Sequence, residues 1–273
     1  MKSLSGGARG ASLWARADAA YRERFMKQIV MAAAAVALLA SGPALAKTPA
    51  YIAAAVADSH RPATDTARDA DRKPAAMLAF AGIKPGDVVV DLIPGTNYFS
   101  RLFAAAVGPT GHVYSFEPVE FDAIFEKHHE PVPSGTLDGY PNDTFIHASI
   151  AKLPIPQLAD VIWTSQNYHD LHDKFAGPVD IAAFNKAVYA ALKPGGTYII
   201  LDHVAKPGSG LSATEGLHRI DPAMVKKEVT AAGFKFVGES KVLRNPKDTH
   251  DKLVFDKSIR GHTDQFVYKF RKP

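Results

Sequence analysis

Four carboxylates and two imidazoles stand where apolar runs give way to turns, the places from which side chains reach a ligand: Asp91, Glu117, Asp170 and Asp202, with His169 and His203. Asp91 ends V-V-V-D and is followed by Leu92-Ile93-Pro94-Gly95-Thr96-Asn97, while Glu117 ends H-V-Y-S-F-E. An ionised carboxyl at a strand tip accepts charge-assisted hydrogen bonds from hydroxyls, which are among the strong ones. Asn167-Tyr168-His169-Asp170, with His172 just beyond, and Asp202-His203 follow two later apolar runs. Imidazole titrates near neutrality, so His169 or His172 could take a proton from an O–H or N–H group. The plainer alternative is a histidine that packs or caps the next helix.

Positioning these groups requires a sheet. Asp87 to Leu92 reads as a short strand without polar alternation, suited to burial on both faces. From Tyr98 the period changes, and Phe99, Leu102, Phe103, Ala106 and Val107 fall on one face of a helix. Gly108-Pro109 stops it, Thr110-Gly111 turns the chain, and His112 to Phe116 is a second strand. A right-handed crossover brings Asp91 and Glu117 to the same sheet edge, where open α/β sheets bind ligands. Further strands are predicted at Thr144 to Ala148, Asp160 to Thr164, Thr197 to Leu201, Lys235 to Leu243 and Gln265 to Phe270. Helices are predicted at Lys73 to Ala81, at Val119 to Lys127, along the Ile181, Phe184, Val188 stripe, and between Asp221-Pro222 and Gly233. His128 to Asn142, rich in proline and glycine, reads as a long surface loop. Residues 47–72 read as a lead-in arm or short helix before one α/β domain spanning 73–273.

Residues 83–117 resemble the opening of class I S-adenosylmethionine (SAM)-dependent methyltransferases, D/E-x-G-x-G-x-G after the first strand and an acid ending the second. The resemblance implies SAM as cofactor. Asp91 then stands as the first acid, Gly95 as the middle glycine beside Thr96, and Glu117 as the acid that takes the ribose hydroxyls. Ile93 and Asn97 occupy the places of the outer glycines. Asparagine is the non-glycine residue that best tolerates positive φ, so Asn97 is expected to keep the loop's path and to cap the next helix. Ile93 is expected to turn inward against the sheet. Ser149-Ile-Ala-Lys-Leu153-Pro154 is similar to the family's D-x-x-x-L-P segment, with Ser149 in place of the acid that contacts the adenine amino group. Leu192-Lys-Pro-Gly-Gly196 before a strand resembles another family segment. The implied fold is Rossmann-like: a seven-stranded, mostly parallel sheet, its last strand antiparallel beside the fifth, with helices on both faces.

The family analogy brings the methyl acceptor over the loop after the fourth strand, near Asn167, His169 and Asp170, with Asp202-His203 beside the same cleft. Catechol-type relatives bind a metal there, but Thr164-Ser165-Gln166 offers no acid for it, so no metal is expected. The C-terminal half also resembles exported bacterial proteins catalogued only as predicted methyltransferases. Two functions follow: a SAM-dependent methyltransferase acting on a small molecule or envelope component, or an exported binding or scaffold protein that keeps the fold without the cofactor.

Composition narrows the classes. The chain has 32 basic and 28 acidic residues, of which residues 1–46 hold six and two, so the remainder balances at 26 of each. That balance gives no argument for nucleic acid as a partner. No cysteine is present, which excludes disulfides, thiolate nucleophiles and Cys-ligated zinc. Within the 1–46 leader, Lys27, the apolar run Ile29 to Ala40 and Ala44-Leu45-Ala46 have the order of a secretory signal peptide, too short to remain as a span. Export to the periplasm or medium is therefore expected, with Met26 as a possible second start. N-terminal sequencing of the exported protein should begin at Lys47; intact chain confined to the cytosol would contradict the reading.

Overall fold

The computed structural model describes residues 48–128, 137–177 and 179–273. The signal-peptide reading and part of the His128 to Asn142 loop lie outside the described residues.

Seven strands form one sheet, in the order β3-β2-β1-β4-β5-β7-β6. Their spans are β1 Val88–Leu92, β2 His112–Pro118, β3 Asp143–Ala148, β4 Ala159–Ser165, β5 Leu192–His203, β6 Lys235–Ser240 and β7 Gln265–Arg271. Strands β1 to β5 pair in parallel, whereas β7 runs antiparallel between β5 and β6. The expected order and the antiparallel insertion beside the fifth strand are both present. β5 begins five residues before the expected start, because Leu192 already pairs with Ala159, and the register shifts across Lys193 to Gly196 before Thr197 pairs with Val161.

Alternation along the strands divides the interior into two layers. Val88, Val90 and Leu92 face one layer with Tyr198 and Ile200, while Val89 faces the other with Ile199 and Leu201. The first layer is covered by α5 Ile181–Ala191 and α6 Pro222–Ala231, which contribute Phe184, Val188, Val225 and Val229. The second is covered by α1 Ala50–Val56, α2 Pro74–Ala81 and α3 Tyr98–Val107. A further helix, α4 Asp122–His128, follows β2. All five apolar positions of the expected α3 stripe are buried, and Phe99 and Phe103 lie 4.6 Å and 5.5 Å from the Trp163 ring of β4. Burying a side chain of this size contributes about 1.5–3 kcal/mol, enough to fix which face of α3 meets the sheet.

Residues 48–72 pack onto this core. Ile52 and Ala55 are buried against α3, and Arg61 is held by Asp69 at 2.6 Å and 2.9 Å. Two helical turns, Ala63–Thr66 and Asp69–Arg72, then carry Arg68 and Arg72 to the sheet edge that bears the acids.

The turn from α3 into β2 is the tightest backbone approach that positions Glu117. A Cβ on Gly111 would lie 2.6 Å from the Asp87 carbonyl oxygen and 2.5 Å from Val107 Cβ. The same carbonyl accepts the His112 N–H that starts β2. Gly111→Ala should therefore destabilise the fold by about 1–3 kcal/mol in chemical denaturation, the usual cost of overpacking. An unchanged midpoint would show that the turn is looser than this packing.

Candidate active site

The loop between β1 and α3 follows an unusual path. Ile93, Gly95 and Asn97 have φ of 60°, 54° and 61°. These are the three positions at which the resembled motif carries glycine. Left-handed backbone costs a residue with a Cβ on the order of 1–2 kcal/mol, more for a β-branched one. Local contacts offset the cost. Ile93 is 7% exposed and packs into the first core layer, its N–H donates to the Phe116 carbonyl at 2.8 Å, and its own carbonyl accepts from Asn167 Nδ2 at 2.9 Å. Asn97 keeps the loop's path, as expected, but its side chain does not cap α3. Ser100 Oγ lies 3.4 Å from Asn97 Oδ1 and donates more closely to Asp91.

Asp91 and Glu117 end adjacent strands, and both are buried, at 2% and 1% exposure. Asp91 accepts from Ser100 Oγ at 2.6 Å, whereas Glu117 Oε2 has no hydrogen-bond partner among the described residues. Burial, followed by the neighbouring carboxylates Asp91 and Asp122, pushes Glu117 up to about 8. Burial raises Asp91 to about 7 against the Ser100 hydrogen bond, Asp143 adding to the rise and Arg72 opposing it. Unpartnered buried acceptors are costly. Among the described residues, Glu117 Oε2 lacks a donor such as the one Ser100 gives Asp91. Asp91 borders a cleft of about 650 Å³ together with Ile93, Gly95, Thr96 and Phe99. Glu117 does not reach the wall of that cleft, but Ala123 and Ile124 of α4 do.

Arg72 forms another part of the wall. Its guanidinium sits 4.7 Å from the Tyr98 ring centroid and 5.1 Å from that of Phe99, and donates to Gln166 Oε1 at 2.9 Å. Nothing in the Ala-rich arm signalled that Arg68 and Arg72 belong to the site. Only the folded arm brings them there.

The far strand ends supply a second polar cluster. His169, 2% exposed, is held by Asp202 through its backbone N–H at 2.9 Å and its Nδ1 at 2.8 Å. Its Nε2 meets Asp170 Oδ1 at 3.1 Å and His218 Nδ1 at 3.2 Å. Burial alone would lower its pKa, but Asp202 and Asp170 outweigh burial and raise it to about 10. The two carboxylates thus favour a cation at His169, a proton where no other is present. His203 borders the same cleft, and its Nδ1 shares a hydrogen bond with the Thr263 hydroxyl at 2.7 Å. Burial pushes it down to about 3, with His169 and Arg219 adding to the fall and Asp202 opposing it. Asp202 itself is fully buried and acts by orienting His169.

Two expected contacts lie elsewhere. Ser149 does not border the cleft; its hydroxyl donates to Glu120 Oε1 at 2.7 Å, and the next N–H donates to Glu120 Oε2 at 3.0 Å. His172 turns toward Glu228, 3.3 Å away. Asn167 does belong, bracing the β4 loop against the β1 loop through the Ile93 and Ser165 carbonyls. His218 was missed because it stands in the short segment L-H-R-I-D, far along the chain from the other groups.

No protein-family model matches the chain. It is 28% identical over 197 residues to the ubiquinone/menaquinone biosynthesis C-methyltransferase UbiE of Ectopseudomonas mendocina, covering 70% of this chain and 65% of that protein. The Pseudomonas aeruginosa protein of the same name is 27% identical over 202 residues, with the same coverage. The match thus spans a little less than two thirds of these relatives. Among solved structures, the [4+2]-cyclase SpnF superposes with a TM-score of 0.50 and 17% identity, over 75% of this chain and 81% of that one. A cyclase on this scaffold illustrates that fold and chemistry are separate questions. The putative sarcosine dimethylglycine methyltransferase of Galdieria sulphuraria superposes equally, with a TM-score of 0.50 and 16% identity over 74% of this chain and 85% of that one, and together with the sheet order and the sequence relatives it gives this chain the class I methyltransferase fold.

Proposed function

We propose that the protein is a SAM-dependent methyltransferase acting on a small molecule or an envelope component. The observation that carries this reading is the unpartnered carboxyl of Glu117 beside Asp91, at the strand edge where the fold holds a nucleotide-like ligand. A ribose hydroxyl would supply the donor that Glu117 Oε2 lacks. The left-handed conformations of Ile93, Gly95 and Asn97 supply the backbone path that suits a close approach. Asn97 does not border the cleft, and Ile93 is tied into the core, so neither blocks the site as a scaffold without the cofactor would require. Similarity to quinone C-methyltransferases supports an enol- or phenol-like acceptor. Export remains part of the proposal, resting on the leader's pattern.

When bound, SAM supplies a methyl group already activated by a sulfonium. The chain's task is then mainly positioning. Glu117 and Asp91 accept hydroxyl hydrogen bonds, and Arg72 sets a positive charge on the cleft wall against a carboxylate. Asn167 holds the two loops in register. His203 offers a polar contact to the acceptor, and the Asp202–His169 pair fixes the adjoining wall.

Calorimetric titration with SAM and its demethylated product tests the reading. Glu117→Ala should weaken binding by roughly 1.5–3 kcal/mol, or about 10–150-fold, with the fold intact. Asn97→Gly should leave affinity equal or better, and Asn97→Val should abolish it because a β-branched residue resists φ near +60°. No heat of binding for either ligand would reject the proposal.

The raised carboxyl also sets a pH dependence. Glu117 moves from an ordinary 4.5 to about 8 in the folded protein, so the folded state holds the proton more tightly. That stabilising contribution is full at low pH and is lost as pH rises from about 4.5 to 8. Without ligand, thermal stability should fall across this window, and Glu117→Gln should flatten the fall by roughly 2–4 kcal/mol. Parallel curves for the two proteins would show that Glu117 titrates normally.

A further inference from the structure

We propose that His169 Nε2, an Asp170 carboxylate oxygen and His218 Nδ1 form a binding site for one divalent first-row transition-metal ion on the wall of the cleft. The three atoms make a compact triangle, with His169–Asp170 at 3.1 Å, His169–His218 at 3.2 Å and His218–Asp170 at 3.4 Å. With bonds of about 2.1 Å, ligands lie about 3.0 Å apart on an octahedral face and about 3.4 Å apart in a tetrahedron. The triangle spans that range. Two imidazoles and one carboxylate form the ligand set that suits iron, zinc or cobalt better than magnesium, which wants oxygen alone.

The surroundings support a cation independently of the triangle. His169 Nδ1 is bonded to Asp202 Oδ1 at 2.8 Å, which fixes the ring and leaves Nε2 for the ion, the outer-shell arrangement common to metal-bound histidines. Asp173, 2% exposed, borders the same cleft, and among the described residues only a looser approach of the Thr214 hydroxyl serves its carboxylate. Glu215 adds another carboxylate to this wall, although it also meets Lys174 at 3.0 Å. Positioning comes from two separate elements. His169 and Asp170 lie on the helical turn His169–His172 after β4, and His218 follows the turn Thr214–Leu217 with its ring edge-on to His169. An ion held by three protein atoms keeps positions free for an oxygen of the methyl acceptor or for water. The site does not depend on the cofactor reading, since no member of the triangle belongs to the β1 or β2 tip.

The full chain, freed of metal with a chelator, should be titrated with Co²⁺ while its visible d–d absorption is recorded, and with Zn²⁺ by calorimetry. One equivalent should bind and give the spectrum of a nitrogen- and oxygen-ligated ion. His218→Ala removes a partly exposed side chain and should weaken binding at least about 100-fold; Asp170→Asn should also weaken it strongly. His262→Ala, whose side chain is 67% exposed outside the triangle, should bind like the parent. Circular dichroism confirms that each variant is folded. Substoichiometric uptake, or loss in His262→Ala equal to that in His218→Ala, would overturn the site. So would full binding by a folded His218→Ala.

Discussion

Two carboxyls buried at neighbouring strand tips cannot both be comfortably ionised in a dry environment, and that constraint organises the cofactor half of this molecule. Parallel pairing of Leu92 with Phe116 fixes Asp91 and Glu117 at the same edge. Burial raises both groups, Asp91 and Asp122 raise Glu117 further, and Asp143 raises Asp91 while Arg72 opposes it. The chain relieves only part of this cost, through the Ser100 hydroxyl on Asp91 and the guanidinium of Arg72. The remaining acceptor on Glu117 is left for a ligand. Strain in the adjoining loop has the same logic. Ile93 and Asn97 hold conformations that glycine would take more easily, and Ile93 is kept there by burial, by its N–H on the Phe116 carbonyl and by the Asn167 amide on its own carbonyl.

Much of the architecture was legible because it rests on local periodicity. The continuous apolar β1, the α3 stripe and the order of the later strands follow from side-chain spacing and turn residues, and the structure repeats them with small shifts at the ends. Asn97's left-handed conformation and Ile93's burial also followed from residue type. What escaped depends on partners distant in the chain. Ile52 and Ala55 anchor an arm with no strong periodicity, and its Arg61 is buried only because Asp69 and the Val56 carbonyl receive it. Ser149 matched a motif position, yet Glu120, 29 residues earlier, claims its hydroxyl.

The histidines show the same limit more sharply. Imidazole in isolation suggests a base, but Asp202, 33 residues from His169, fixes the ring through Nδ1 and, with Asp170, favours a cation there. His203, next in sequence to Asp202, is driven the other way by burial. The cleft therefore combines two chemically distinct ends, one at Asp91 and the β1 loop, with Glu117 behind it, and one of clustered imidazoles and carboxylates beyond β4 and β5. The scaffold permits many reactions, and it is this pairing of ends that distinguishes the site.

The most direct measurement of the central assignment is proton release on binding S-adenosylhomocysteine, read calorimetrically at pH about 7.5 in buffers of different ionisation heat. Ribose hydroxyls that donate to Glu117 favour its ionised form, so the wild-type protein should release a substantial fraction of about one proton. The release should vanish in Glu117→Gln. Binding with no proton release, or with the same release in the variant, would contradict the placement of the ribose at Glu117.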